Sequence, residues 1–153
     1  MPTKNKEEFM KKNFFIILTI LLIIAIIVGY TVHNYRKQQI QIAQYNKQYE
    51  SWYDKKILGT DFISIINKTI DNNEKNDVQK DENNVYLEDN ERNERSVKIY
   101  IKFLESDQTF DMEAIANNGI ENFIQNYATF SFKCTKIDYH KNGNVKSLFF
   151  EEV

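Results

Sequence analysis

Residues 14–32 read FFIILTILLIIAIIVGYTV, a run without charge in which Thr19 is the one polar side chain before Gly29. A helix of this length rises about 28 Å, close to the ~30 Å hydrocarbon core of a bilayer. A core helix of a soluble protein would carry a polar face, whereas residues 14–28 are apolar on every side. The run predicts a transmembrane helix with the lipid bilayer as its partner, and residues 33–153 then form a tethered part.

The segment before this run, residues 1–13, contains Lys4, Lys6, Lys11 and Lys12, as a secretory signal would. A cleaved signal has an apolar region of about 7–15 residues and a small-x-small cleavage site. Here the apolar run is longer and leads into residues 29–33 (GYTVH) with no Ala-x-Ala-like pattern. An uncleaved signal-anchor is therefore favoured over a cleaved signal.

The distribution of basic residues gives the orientation. Four lysines precede the span, and Arg36, Lys37 and Lys47 follow it. This bias toward a cytoplasmic amino side agrees with the short length of residues 1–13. We expect a single-pass protein of the cell membrane, with a cytoplasmic N-terminus and an extracytoplasmic C-terminal domain.

Composition limits the partners. The chain has 20 basic and 22 acidic residues, a net charge of −2, and no concentrated basic patch, so no nucleic-acid partner is expected. Cys134 is the one cysteine, which excludes an intramolecular disulfide and a Cys-based metal site. Its place in an apolar segment predicts a buried side chain.

Residues 33–70 predict a helical stem followed by a second helix. Ile42 begins an apolar row, and the aromatic residues of the row recur at spacings of three and four; they are Tyr45, Tyr49, Trp52 and Tyr53. The row either packs on the domain or binds a membrane or envelope protein. Gly59 is expected to cap the stem, and Thr60 or Asp61 to begin the second helix.

Residues 71–95 are rich in Asn and acidic residues and predict a solvated loop. From residue 96 to 153 the apolar period changes to two, which predicts an antiparallel sheet of about four strands with one intervening short helix. Residues 110–114 alternate as a second strand, and residues 120–127 fit the helix. The predicted fold class is α+β.

The best turn signal is Asn142-Gly143, which suits a type I′ hairpin between the last two strands. Counting outward from it places Ile137 opposite Leu148 and Thr135 opposite Phe150. The change of parity after Cys134 predicts a β-bulge near Thr135.

Motifs for catalysis are missing from the sequence. It contains no Gly-rich phosphate loop, no His-Glu-x-x-His and no Gly-x-Ser-x-Gly. His33 and His140 are the two histidines, and both are expected at the exposed surface. We therefore predict a protein that is not an enzyme, without cofactor, metal or identified small-molecule substrate.

Two resemblances bear on class. Four segments resemble uncharacterised single-pass membrane proteins of low-G+C Gram-positive bacteria: YESWY (49–53), LGTD (58–61), IINK (65–68) and FKCTKIDYH (132–140). This resemblance implies no catalytic residues. The architecture is also similar to type IV pilins, but those carry Gly before the first Phe and Glu five residues into the mature helix. Asn13 and Leu18 stand at these positions.

The function expected from these patterns is a non-enzymatic interaction or scaffolding domain of the cell envelope. A pilin-like structural subunit and a small-ligand sensing domain are the alternatives. The residues expected to contact a partner are Tyr45, Tyr49, Trp52 and Tyr53.

Overall fold

A computed structural model describes residues 3–87, 93–105 and 108–153, with side chains from residue 9 onward. Residues 88–92 of the predicted loop and residues 106–107 of a predicted turn lie outside the described residues. The elements, in chain order, are α1 (Thr3–Glu50), β1 (Lys56–Leu58), α2 (Gly59–Lys75), β2 (Lys98–Lys102), β3 (Thr109–Asp111), α3 (Met112–Asn117), α4 (Ile120–Tyr127), β4 (Ser131–Tyr139) and β5 (Val145–Glu152). The predicted α+β class is confirmed.

The chain divides into two compact units, Met1–Gln41 and Ile42–Val153. The first unit is helical, and the large apolar side chains of residues 14–32 are between 45% and 67% exposed. The Thr19 hydroxyl donates to the Phe15 carbonyl at 2.8 Å, which satisfies the polar group within the helix. By length and composition, the segment Phe9–Glu50 contains a candidate membrane span.

The second unit is built on one five-stranded sheet with the order β1-β4-β5-β2-β3. Three pairs are antiparallel, but β2 and β5 run parallel, with Ile99 beside Leu148. The sheet is mixed, so the prediction of an antiparallel sheet is wrong for the β2–β5 pair. Besides the predicted strands, the sheet contains β1. The additional strand β1 has three residues, too few for a recognisable alternation.

The β4–β5 hairpin forms at the predicted place, but its turn is not type I′, because Asn142 does not have the positive φ that a type I′ turn requires. Gly143 has a φ of 91°, and Ile137 pairs with Leu148. The register shifts between Cys134 and Lys136, which confirms the predicted bulge. Because Thr135 is the extra residue, Phe150 pairs with Cys134 instead of Thr135.

Three helix boundaries differ from the sequence prediction. The stem helix ends at Glu50, and the chain turns at Asp54 with a φ of 59°, a left-handed conformation that Asp tolerates. Gly59 is instead the first residue of α2, and neither Thr60 nor Asp61 is its N-cap, since that position is Leu58. The helix continues to Lys75, beyond the predicted end near residue 71.

The predicted strand over residues 110–114 divides into β3 and α3. The Asp111 carboxylate accepts a hydrogen bond from the Ala114 amide at 2.8 Å and caps α3. This cap and the helix-forming Met112, Glu113 and Ala114 prevail over the short apolar alternation. The predicted helix over 120–127 is confirmed as α4.

The core of the second unit lies between α2 and the sheet. Phe62 of α2 stacks on Phe132 with ring centroids 4.9 Å apart and meets Phe150 edge-on at 4.8 Å. Cys134 is 0% exposed, as the sequence predicted. Concave surfaces of the second unit include one at the end of α1 against β4 and one at the edge formed by β3, α3 and α4.

Candidate functional site

The residues expected to bind a partner come from the end of α1 and the turn after it. Tyr45, Tyr49 and Trp52 form a continuous row in which each pair of neighbouring rings has centroids 5.6 Å apart. We call residues 42–54 the distal stem; all of them belong to the second unit.

Tyr45 and Tyr49 are held mainly by the domain itself. Tyr49 is 1% exposed and belongs to the core, and burial raises the pKa of its hydroxyl. The Tyr45 hydroxyl donates to the Arg95 carbonyl at 2.8 Å and accepts from the Asn72 amide at 3.1 Å. Burial also raises the pKa of Tyr45. These contacts favour the packing interpretation for both rings.

Tyr53 differs from the other three aromatic residues. Its side chain is 54% exposed, while its backbone forms a bridge with Cys134. Trp52 is half-buried against the core. The structure therefore brings Tyr45, Tyr49 and Trp52 together and leaves Tyr53 available to another molecule.

An open hollow of about 430 Å³ adjoins Tyr53 and extends to Tyr139. The Tyr139 hydroxyl donates to the Glu50 carboxylate at 3.0 Å. Partial burial, with a further contribution from Glu50, raises the pKa of Tyr139. Two exposed tyrosines that each combine an apolar ring with a polar tip are typical of a protein-binding surface. We call this hollow the Tyr53–Tyr139 surface.

Two buried asparagines were missed by sequence reasoning. Asn46 binds the β4–β5 turn, with its amide nitrogen 2.8 Å from the Gly143 carbonyl oxygen. Asn73 forms a pair of bonds with Val97, at 2.7 Å to its carbonyl and 2.9 Å to its amide. The sequence does contain a signal for both residues, because the helical spacing places each asparagine on the apolar face of its helix.

A second concave surface lies where β3, α3 and α4 meet the end of β2. This aromatic cleft has a volume of about 400 Å³. The aromatic residues that line it are Phe103, Phe110, Phe123, Tyr127 and Phe130. The sequence predicts these residues only as parts of separate strand and helix faces, because their convergence depends on long-range pairing that no local pattern reveals.

One ion pair is buried beside this edge. Lys98 Nζ lies 3.7 Å from Glu113 Oε1 and 4.0 Å from Asp111 Oδ2. Glu113 Oε1 also accepts from the Tyr86 amide at 3.0 Å, and burial raises the pKa of the Glu113 carboxyl despite the attraction of Lys98. A lysine and two carboxylates in this geometry serve structure, because the pair is enclosed by the fold.

The two histidines lie in different surroundings, and His140 Nε2 lies 3.4 Å from the hydroxyl oxygen of Ser96. His33 is exposed as expected, but His140 is half-buried, with Nε2 2.8 Å from the Ser96 carbonyl oxygen, so that part of the prediction is wrong. Within residues 3–87, 93–105 and 108–153, no group of three His, Cys, Asp or Glu is placed to hold a metal ion.

Comparison with protein-family models, with curated proteins and with solved structures finds no match for this chain. The arguments for its function therefore rest on its own residues.

Proposed function

We propose that this chain is a single-pass membrane protein whose residues 33–153 form a non-enzymatic interaction or scaffolding domain outside the cytoplasmic membrane. The observation that carries the proposal is the exposed, uncharged helical run of residues 14–32. Exposed apolar side chains over this length are stable in lipid and strongly disfavoured in water. The four lysines that precede the run support a cytoplasmic location for the amino side of the span.

The partner surface that fits this function best is the Tyr53–Tyr139 surface. Of the four aromatic residues of the distal stem, Tyr53 is the most exposed, and the side chain of Tyr139 beside it is 48% exposed. Trp52 adds a half-buried ring next to this surface. The partner is a membrane or envelope protein that packs apolar groups on these rings and accepts a hydrogen bond from the Tyr53 hydroxyl.

Orientation is tested with an impermeant maleimide on intact cells. The variant Asn83→Cys places a thiol on an exposed turn. The wild-type chain is the matched control, because Cys134 is 0% exposed and burial raises its pKa to about 11. We expect labelling of the variant on intact cells and no labelling of the wild type. Labelling of the variant only after lysis would place the domain in the cytoplasm.

Partner binding is tested by a photoreactive amino acid introduced at position 53 in the full-length chain in its own membrane. Position 64 on α2 is the control, because Ser64 is also exposed but lies on a different element. A discrete crosslinked product from position 53 and none from position 64 would support the surface. Equal patterns from both positions, or no product from either, would count against it.

A further inference from the structure

The aromatic cleft has the size and lining of a small-molecule site. Its volume of about 400 Å³ falls in the usual range of ligand pockets, roughly 300–1,000 Å³. Tyr127 is at its centre, with ring centroids 4.5 Å from Phe103, 5.2 Å from Phe123 and 5.4 Å from Phe130. Phe110 extends the row, 5.6 Å from Phe103.

The orientation of these rings differs from one pair to the next. Phe130 meets Tyr127 edge-on at 81°, and Phe110 meets Phe103 at 68°. The faces of aromatic rings carry negative charge density and attract cations.

The charged groups of the lining have one sign. Glu105 and Glu152 are the ionisable carboxylates among the lining residues, and the lining contains no Lys, Arg or His. Glu152 Oε2 accepts a hydrogen bond from the Leu104 amide at 3.0 Å, which fixes this carboxylate near the cleft. The Glu105 side chain is exposed.

The lining also contains uncharged polar groups. Asn122 and Asn126 each donate one N–H of the side-chain amide to the backbone carbonyls of residues 118 and 122, at 2.8 Å and 2.9 Å. Because an amide group has two N–H donors and an acceptor oxygen, each side chain keeps a donor and an acceptor, and these residues favour neither sign of charge on a ligand.

We infer that the aromatic cleft binds a small organic cation with an apolar body, such as a quaternary ammonium compound. The aromatic rings contact the apolar groups and the diffuse positive charge, and Glu105 and Glu152 supply the counter-charge. This inference goes beyond the proposed function, because it assigns a ligand site distinct from the Tyr53–Tyr139 surface. It holds for either orientation of the chain in the membrane.

The first test compares a cation with its neutral isostere on the wild-type protein. Choline and 3,3-dimethylbutan-1-ol have the same shape and differ in charge, and benzyltrimethylammonium adds a ring. We propose calorimetric titration of the full-length chain in non-ionic detergent micelles, with empty micelles as the blank. Both cations should bind about tenfold or more tightly than the alcohol. Equal affinity of choline and the alcohol, or no binding of either cation up to about 20 mM, would overturn the inference.

The second test removes the counter-charge. The double variant Glu105→Gln/Glu152→Gln keeps hydrogen-bond acceptors at both positions, and Glu121→Gln on α4 is the control because Glu121 is exposed and outside the lining. We expect the double variant to lose about tenfold in affinity for choline and the control to lose none. Unchanged affinity in the double variant would overturn the role of the carboxylates.

Folding of the variants is checked by protection of Cys134 from maleimide, because this buried thiol reacts only when the core opens. If the double variant fails this check, Glu105→Gln alone decides the question. Its side chain is exposed, so we expect the fold to tolerate the change. A loss in affinity for choline and none for the alcohol is again the supporting result, and equal changes for both ligands contradict the proposal.

Discussion

The side chain of Asn46 accepts a hydrogen bond from the backbone amide of Val145 at 2.9 Å, across 99 positions of the sequence. The same side chain donates to the Gly143 carbonyl at 2.8 Å. Asn46 is 5% exposed, so both bonds are largely protected from water. A single residue of the distal stem therefore fixes the position of the β4–β5 turn.

The first prediction is that Asn46→Ala destabilises the domain. Removal of the side chain leaves a buried amide and a carbonyl without this partner, which should lower the free energy of unfolding by about 2 kcal/mol or more. Gln48→Ala is the control, because Gln48 is an exposed residue of the same helix. The measurement is the melting temperature of the full-length chain in detergent. Melting is monitored through the reaction of Cys134 with a fluorogenic maleimide. Equal melting temperatures for the two variants would show that the bonds to the turn add little.

The second prediction compares two glycines. In Gly59→Ala the new Cβ would collide with the Tyr127 carbonyl oxygen and lie 2.8 Å from the Tyr127 carbonyl carbon. Because both are backbone atoms, relief requires movement of the helix end, and we expect a loss of about 2–3 kcal/mol. Gly29→Ala is the control, since its Cβ would have no atom within 4 Å. The same thermal assay should show a lower melting temperature for Gly59→Ala alone, and a loss in both variants would indicate a cause other than this collision.

The third prediction separates packing from recognition in the distal stem. Tyr49→Ala removes a core ring and should cost about 3–5 kcal/mol, as other large aromatic truncations do. The Tyr53→Ala variant should melt at nearly the same temperature as the wild type, because the ring is 54% exposed. At the membrane, however, this variant should lose its crosslinked complexes with the partner protein.

Trp52→Ala is the deciding variant for the stem, because Trp52 contacts Tyr49 and is only half-buried. A large fall in melting temperature would assign Trp52 to packing. A normal melting temperature together with lost complexes would assign it to recognition.

The fourth prediction concerns pH. Burial raises the pKa of Glu113 above its ordinary value of 4.5 in the folded protein, although Lys98 acts in the opposite direction. As pH rises from that ordinary value to the raised one, the unfolded chain releases this proton while the folded chain retains it. The contribution of Glu113 to stability therefore falls through this window and stays low above it.

Glu113→Gln removes this titration and leaves the oxygen that accepts from the Tyr86 amide. The free energy of unfolding of wild type minus that of Glu113→Gln should decrease from about pH 4 upward and then level off. Guanidinium unfolding monitored by the fluorescence of Trp52 gives this difference, and the other carboxylates largely cancel in it. A difference independent of pH would contradict the raised pKa.

The fifth prediction distinguishes the anchor from a pilin-like subunit. Mass spectrometry of the protein purified from its own membrane should find residues up to Lys12 still attached, because Asn13 and Leu18 do not match the pilin processing site. A new N-terminus at Phe14 would favour the pilin-like alternative.

Local patterns predicted the elements whose determinants are close in sequence. The Asn142-Gly143 turn set the β4–β5 hairpin, and the parity change after Cys134 located the bulge. The apolar alternation of residues 97–103 predicted β2, but it could not give its neighbour, because alternation shows which face of a strand is buried and not which strand pairs with it. The parallel β2–β5 pair depends on contacts distant in sequence.

In the candidate sites too, patterns within one segment could be predicted, whereas contacts between distant segments could not. The spacing of Tyr45, Tyr49, Trp52 and Tyr53 predicted a row on one helix face, but α1 ends at Glu50, and the spacing could not show which rings the domain would cover. The aromatic cleft could not be predicted, since Phe103 follows β2 and Phe130 precedes β4, and the two residues come to line one cleft only after the sheet forms.

The position of β5 between β4 and β2 has a consequence for the order of assembly. It is the last strand in the chain, yet it joins the two halves of the sheet. During synthesis, α2 and β2 therefore emerge long before their common partner exists, and their apolar faces need protection until then. Because β5 pairs with β2 across a long separation in sequence, we expect completion of the sheet to be a slow step of folding.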